Sequence, residues 1–383
     1  MVKISLLTDG IFPYVIGGMQ KHSYYLAKYF AKNKIFVDLY HTNQSNLDIN
    51  KLELFSEEEK KFINSFVIPF PSGGKLPGHY IKASYNYSEL IFDVFKKQNP
   101  TDFIYAKGFS AWKLIEEKKK NFKCPPIGVN FHGYEMFQKP PDLKTYLASK
   151  LIVQKPVLYN VKNADYVFSY GAKITDIIKN IGTKSSKIIE IPTGIEEQWL
   201  TKNHPESNST KIKFVFVGRF ERRKGIEELN KALKIIPAKN KDFEFHFIGP
   251  IPQEKQILNT AIVYHGAIND AALMKDVISK MDVLVCPSHS EGMPNVIMEA
   301  MASGLAVIAT NVGAVALMVN ESNGFLLNDN NPITIANALT HCIGLDKNTL
   351  TIQKQASIDK VKNNFLWENI IQKTISEIQK KIA

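Results

Sequence analysis

Two short apolar runs, Val283–Cys286 and Leu305–Ala309, bracket the segment Ser288–Gly304, and together they constrain this chain more than any other stretch. Runs this short suit strands buried on both faces. Between them Pro294 stands near a helix start and Gly304 just past a helix end, the positions each residue favours. The segment therefore predicts strand, loop, helix, strand, with Glu291 in the loop and Glu299 inside the helix. In an open parallel sheet, the loop that leaves a strand's carboxyl end is where ligands bind.

The same alternation runs through the rest of the chain. Lys3–Thr8, Phe36–Tyr40, Phe103–Tyr105, Ile127–Phe131 and Tyr166–Ser169 read as strands, with a helix from about Met19 to Lys32. Such an order implies βαβ units and a mainly parallel sheet. Pro69–Tyr80, rich in Pro and Gly, reads as a long loop. A boundary falls at Ile191–Gly194, ahead of a polar stretch, Lys202–Lys211, that lacks any apolar period. The pattern then restarts with a strand at Phe214–Val217, a basic loop at Gly218–Gly225, a helix at Ile226–Ile236 and a strand at Glu244–Ile248. At 383 residues the chain exceeds the usual size of one core. The expected fold is α/β, with two doubly wound Rossmann-like domains facing across a cleft, over residues 1–193 and 194–365. Apolar residues at 366, 370, 374/375 and 378 predict a closing helix.

Hydrophobic content of 44% and charged content of 22% exclude a disordered or fibrous chain. No run approaches the ~18 apolar residues of a membrane span, and the opening residues are too short and too early-charged for a signal peptide, so a cytoplasmic location is expected. Cys124, Cys286 and Cys342 are isolated, which supports neither a disulfide framework nor a zinc site. The net charge of +11 is uneven: residues 1–193 carry 27 Lys and Arg against 17 Asp and Glu, the remainder 21 against 20. Either this is a lysine-rich solvated face, or the first half meets an anionic lipid surface or a charged acceptor. Nucleic acid is not expected, because no nucleic-acid motif accompanies the charge.

A helix beginning near Pro294 would leave the N–H groups of Asn295 and Val296 free at the positive end of its dipole, a place that favours phosphate. Glu299 would lean back over that turn, where a carboxylate can accept from two vicinal hydroxyls, as on a ribose. The plainer alternative makes Glu299 an exposed mid-helix residue and Glu291 a helix-entry acid. A hydrolytic pair fits poorly: eight residues of helix span about 12 Å at ~1.5 Å each, against the ~5–9.5 Å between glycosidase carboxyls. Arg219 and Lys224 in the basic loop suit a diphosphate, or else a solvated turn. That loop lacks both the Walker A and the dinucleotide spacing. Gly17-Gly18 before a helix lets backbone approach a ligand, though a plain turn explains it equally. His132 follows a strand, a place more often structural than catalytic.

Together these residues resemble the retaining glycosyltransferases of family four, which have the GT-B fold. The resemblance runs in order through Gly17-Gly18, His132, Ile191–Gly194, Gly218-Arg219, Lys224-Gly225, the Glu291-x7-Glu299 segment and Phe365–Trp367. It implies a nucleotide-diphosphate sugar donor, a glycan or lipid-linked acceptor, and transfer with retention and without a metal or other cofactor. By the same resemblance Arg219 and Lys224 would neutralise the diphosphate. Glu299 would hold the ribose, and Glu291 with Gly292, Met293, Pro294, Asn295 and Val296 would contact the donor. Gly17 and Gly18 would approach the phosphates, His132 would lie beside the sugar, and helix 366–383 would cross back onto the first domain. Surface polysaccharide or glycolipid synthesis, at or near the inner membrane face, is the implied setting. An epimerase of related architecture and a non-catalytic nucleotide-sugar-binding protein are the alternatives. Departures from the family pattern are Thr193 before Gly194, Pro250 and Pro252 after Gly249, Ala314, and Leu317.

Overall fold

The computed structural model describes residues 2–43, 54–72, 74, 76–201, 211–236 and 243–382. The first sheet comprises β1 (Lys3–Leu7), β2 (Phe36–His41), β3 (Ile63–Val67), β4 (Phe103–Lys107), β5 (Ile127–Asn130), β6 (Tyr166–Ser169) and β7 (Ile188–Glu190). They lie in the order β3-β2-β1-β4-β5-β6-β7. The second sheet comprises β8 (Ile212–Val217), β9 (Phe243–Ile248), β10 (Ile262–Tyr264), β11 (Val283–Cys286), β12 (Ala306–Thr310) and β13 (Gly324–Leu327), in the order β10-β9-β8-β11-β12-β13. Every pairing within the two sheets is parallel.

Chain order reverses between β1 and β4 in one sheet and between β8 and β11 in the other, and crevices open at such switch points. The loops that leave β8 and β11 are the basic loop and the Glu291 loop. Their proximity is a consequence of topology, since Val283 of β11 pairs with Phe214 of β8. Helix crossovers cover both faces, so the central strands are mostly apolar and buried along their length: every residue of β4, β11 and β12 is buried, Lys107 and Thr310 at their carboxyl ends included.

The chain crosses between the sheets twice, side by side. Ile195 N–H donates to the Phe365 carbonyl at 2.8 Å, and Trp367 N–H donates to the Ile195 carbonyl at 3.1 Å. The closing helix, Trp367–Ile382, then packs on the Gly18–Lys32 helix, with Trp367, Ile370, Ile371 and Ile378 in one core with Leu26 and Phe30. Each such side chain contributes roughly 1.5–3 kcal/mol on burial, enough to anchor the chain end on the first sheet. Trp367 sits against His22, Tyr25 and Tyr29, with ring centroids 5.3, 5.5 and 5.7 Å away.

Several expectations need adjusting. β3, β7, β10 and β13 were not anticipated. Helix His79–Phe95 begins inside the expected loop Pro69–Tyr80. Pro294 is the N-cap in extended backbone (φ −73°, ψ 117°), and the helix runs from Asn295 to Ala302. Of the polar stretch Lys202–Lys211, residues 202–210 lie outside the described residues. Among the described residues no helix is long and apolar enough to cross a membrane.

Candidate functional site

The loop leaving β11 holds Glu291 at the switch point with its side chain 7% exposed. Lys224 Nζ donates to it at 2.7 Å, Ser288 Oγ at 2.8 Å and Arg223 at 3.2 Å. Burial alone would raise this carboxyl, but the Lys224 and Arg223 cations outweigh burial and hold it below its ordinary value. A short 3-10 turn, Arg222–Lys224, aims these cations. Arg222 turns the other way, onto Glu228 at 2.6 Å and His289 at 2.9 Å.

The helix after this loop is eight residues long and buries Ile297, Met298, Ala300, Met301 and Ala302. Among the described residues, the N–H groups of Asn295 and Val296 take no protein acceptor, while Ile297 N–H turns back to the Pro294 carbonyl at 3.1 Å. Two free donors and the helix dipole thus meet at the helix start, an arrangement suited to an anion. Glu299 is not an exposed mid-helix residue: its side chain is 15% exposed and ion-paired at 2.6 Å with Lys21, on the first domain's Gly18–Lys32 helix. The space here, lined by Lys21, Glu299, Trp199, Thr193 and Tyr25, has a volume of about 10 Å³. That is room for one water and not for a ribose. A larger hollow of about 350 Å³, also between the domains, is lined by Gln138, Lys173, Ser288, His289, Asn311 and Asn330.

The first domain meets the Glu291 loop through backbone. A Cβ on Gly292 would fall 1.8 Å from the His132 carbonyl oxygen, so only glycine permits the approach. A Cβ on Gly18 would lie 3.1 Å from His132 Nε2, which places the imidazole against the start of the Gly18–Lys32 helix. Gly17 is that helix's N-cap. Gln138 clamps the loop from the same side, donating to the Glu291 carbonyl at 2.7 Å. Burial first, and then the Lys107 cation, push His132 down to about 3, so its imidazole is neutral near pH 7. Met293 is buried, and its sulfur accepts from Thr193 N–H at 3.3 Å, tying the crossover to the helix entry.

Of the residues expected from sequence, Lys224, Glu291, Gly292, Asn295, Val296, Glu299, Gly18 and His132 converge on the interdomain cleft. Arg219 does not join them: its side chain is 73% exposed and paired with Glu221 at 2.7 Å. Arg223 occupies the place beside Glu291 that sequence reasoning did not assign. The cue for it was the Arg222-Arg223-Lys224 run, where neighbouring side chains of a tight turn diverge. Lys21 was missed as well, because its partner lies on the other domain.

A family model described as "Glycosyl transferases group 1" matches residues 211–344. A glycosyltransferase of Methanocaldococcus jannaschii is 30% identical over 379 residues, covering 97% of this chain and 97% of that one. A capsular polysaccharide biosynthesis glycosyltransferase of Staphylococcus aureus is 31% identical over 166 residues, 40% of this chain and 43% of its own length, so this chain spans less than half of that relative. Among solved structures, Anabaena HepE in complex with UDP and glucose superposes with a TM-score of 0.65 at 18% identity, covering 99% of this chain and 100% of that one. With two parallel-sheet Rossmann-like domains in the GT-B arrangement, and a relative matched along nearly its whole length, the chain belongs to the group 1 glycosyltransferases.

Proposed function

We propose that the chain is a retaining glycosyltransferase that moves a sugar from a nucleotide-diphosphate donor to a glycan or lipid-linked acceptor in surface polysaccharide or glycolipid synthesis. The observation that carries this is the convergence of Lys224, Glu291, the free N–H groups of Asn295 and Val296, and Glu299 at the switch point, facing the other domain. The diphosphate sits at the helix start, where Lys224 meets it, and Arg219 leaves Glu221 to close on it from solvent. Glu299 exchanges Lys21 for the ribose hydroxyls. Glu291 turns from its cations to the hydroxyls of the transferred sugar as the diphosphate takes those cations over.

As the glycosidic bond breaks, negative charge grows on the departing phosphate, and pre-placed cations and amides stabilise it there more than in the ground state. In this mechanism protein groups take the charge, and the leaving phosphate helps to take the acceptor's proton on the same face, which retains configuration. The hollow lined by Gln138, Ser288 and Asn311 offers hydroxyl-binding groups for the acceptor. The name of the Staphylococcus aureus relative supports the polysaccharide setting, and the UDP complex of HepE supports a nucleotide donor.

A thermal-shift screen against UDP-, GDP- and ADP-sugars tests the donor site, since a ligand at 100 times its Kd stabilises by about 2.7 kcal/mol. At least one should raise the melting temperature, and a flat response to all three classes contradicts the reading. The donor found is then incubated with and without acceptor. Conversion of the sugar without acceptor would identify an epimerase instead.

A further inference from the structure

We propose that the helical segment Leu143–Val153, with the turn that opens helix His79–Phe95, seats the first domain on an anionic lipid bilayer and so holds the mouth of the cleft at the membrane surface. One continuous helical rod runs from Leu143 to Asn163, with a π turn at Ser149–Val153. Its second half buries Val157 and Val161 in the core of the first domain, but no residue of Leu143–Val153 is buried. A helix in a folded protein takes most of its stability from a packed apolar face. Here the face is apolar and bare: Leu143, Leu147 and Leu151 are 71%, 46% and 73% exposed, and Tyr146 stands among them.

The bare face continues beyond the rod. A Cβ on Gly78 would lie 3.4 Å from Ile152 Cγ2, so the turn before helix His79–Phe95 rests on the π turn. That turn adds Leu76, 77% exposed, and the start of the helix adds Tyr80, half exposed. An exposed apolar patch of this kind marks a place that something covers.

Charge selects the occupant. Residues 139–155 hold four lysines against one aspartate, and Lys144, Lys150 and Lys155 are all exposed. Lysine is depleted where proteins meet proteins. On a bilayer, by contrast, its stem lies along apolar surface while its ammonium meets lipid phosphates. Lys150 already has that posture, its ammonium 5.3 Å from the centre of the Tyr146 ring.

The patch is tied to the cleft. Gln154 donates to the Met136 carbonyl at 2.7 Å, in the short turn that leads to Gln138 and its clamp on the Glu291 loop. Tyr80 Oη lies 3.5 Å from Asp9, which follows β1 at the switch point of the first sheet. Resting on the proposed transfer, a lipid-linked acceptor in the same bilayer reaches the cleft without being extracted.

The test uses the full chain and sedimentation with vesicles of phosphatidylcholine, alone or with about one-third phosphatidylglycerol. The wild type should bind the anionic vesicles. Leu147→Glu with Leu151→Glu should weaken that binding about 100-fold, since each leucine withdrawn from the bilayer loses about tenfold. Leu258→Glu with Leu273→Glu makes the same change of charge at exposed sites of the second domain and should stay within about threefold of wild type. Lys144→Gln with Lys150→Gln should weaken binding about tenfold at low salt, the difference closing at high salt. A wild type that ignores anionic vesicles, or equal losses from the two leucine pairs, overturns the proposal. So does a dimer in solution that Leu147→Glu with Leu151→Glu splits, which would make a second copy the cover. If that pair does not fold, Leu151→Ser makes the comparison, with a loss of about tenfold expected. The thermal screen reads donor binding separately: the leucine variants should keep it, and if no nucleotide sugar binds, the transferase reading falls while the vesicles still decide the membrane face.

Discussion

Replacing Glu291 by Gln probes the arrangement at its most charged point. The carboxylate accepts from Lys224, Ser288 and Arg223, and a carboxamide of the same shape must turn an NH2 toward one of them. Breaking a buried ion pair by removing one partner costs about 3–5 kcal/mol. Here the Lys224 and Arg223 side chains are 20% and 30% exposed, so water recovers part of that cost. About 2–3 kcal/mol of lost stability remains after that discount for solvent screening. In a domain of this size that is roughly 5–10 °C in melting temperature. The sign with pH follows from the direction of the shift. A carboxyl depressed in the folded state stabilises above its unfolded pKa, and that stabilisation is lost as pH falls through the folded value. The gap between wild type and Glu291→Gln should therefore be full at pH 7 and shrink below about pH 4.

The same substitution frees two cations at the helix start. Inorganic pyrophosphate should bind Glu291→Gln more tightly than wild type and restore part of its melting temperature, while sugar transfer falls. Urea or thermal unfolding at pH 7 and at about pH 3, with and without pyrophosphate, reads all of this. Equal stability of the two proteins at pH 7, with equal pyrophosphate affinity, would refute the claim that Glu291 holds these cations.

Other outcomes follow from the remaining contacts. Glu299→Ala should weaken nucleotide binding by about tenfold or more, whereas Lys21→Met, which removes the competitor for the ribose, should tighten it by up to about tenfold; titration calorimetry with one nucleotide measures both, and loosening by Lys21→Met would count against the exchange. Arg219→Ala should lower kcat on the order of 100-fold, as for loss of one group that stabilises transition-state charge, with little change in melting temperature because its side chain is 73% exposed. An unchanged rate would leave Lys224 and Arg223 as the diphosphate cations. If the excess of 27 basic over 17 acidic residues in positions 1–193 faces a membrane, vesicles containing anionic lipid should sediment the protein at low salt and release it at high salt. Equal behaviour with neutral vesicles would remove the membrane from the account.

Much of this architecture is legible in the chain itself. The centres of β4, β8, β11 and β12 (Phe103–Ala106, Phe214–Val217, Val283–Cys286 and Ala306–Ala309) are short apolar runs, because parallel strands covered on both faces have little polar side to show, and each could be placed by eye. The strands that escaped, β3, β7, β10 and β13, lie on or next to sheet edges. β7 and β10 have only three residues each, and β3 (Ile-Asn-Ser-Phe-Val) carries polar residues at its centre. The helix punctuation of Pro294 and Gly304 located Glu299 to within a residue. What the pattern could not reveal was direction. Arg219, Arg222, Arg223 and Lys224 look alike in a basic loop, and only the turn at 222–224 decides which of them reach Glu291. The Lys21–Glu299 pair joins residues 278 positions apart and exists only because the closing helix and the crossover bring the two domains together.

The most direct test is a structure of the protein with the nucleotide sugar that the thermal screen selects. The account predicts ribose hydroxyls on Glu299 in place of Lys21, the diphosphate against Lys224 and the Asn295 and Val296 amides, and the sugar between Glu291 and His132. A nucleotide seated elsewhere, or one bound with the Lys21–Glu299 pair still closed, would contradict it.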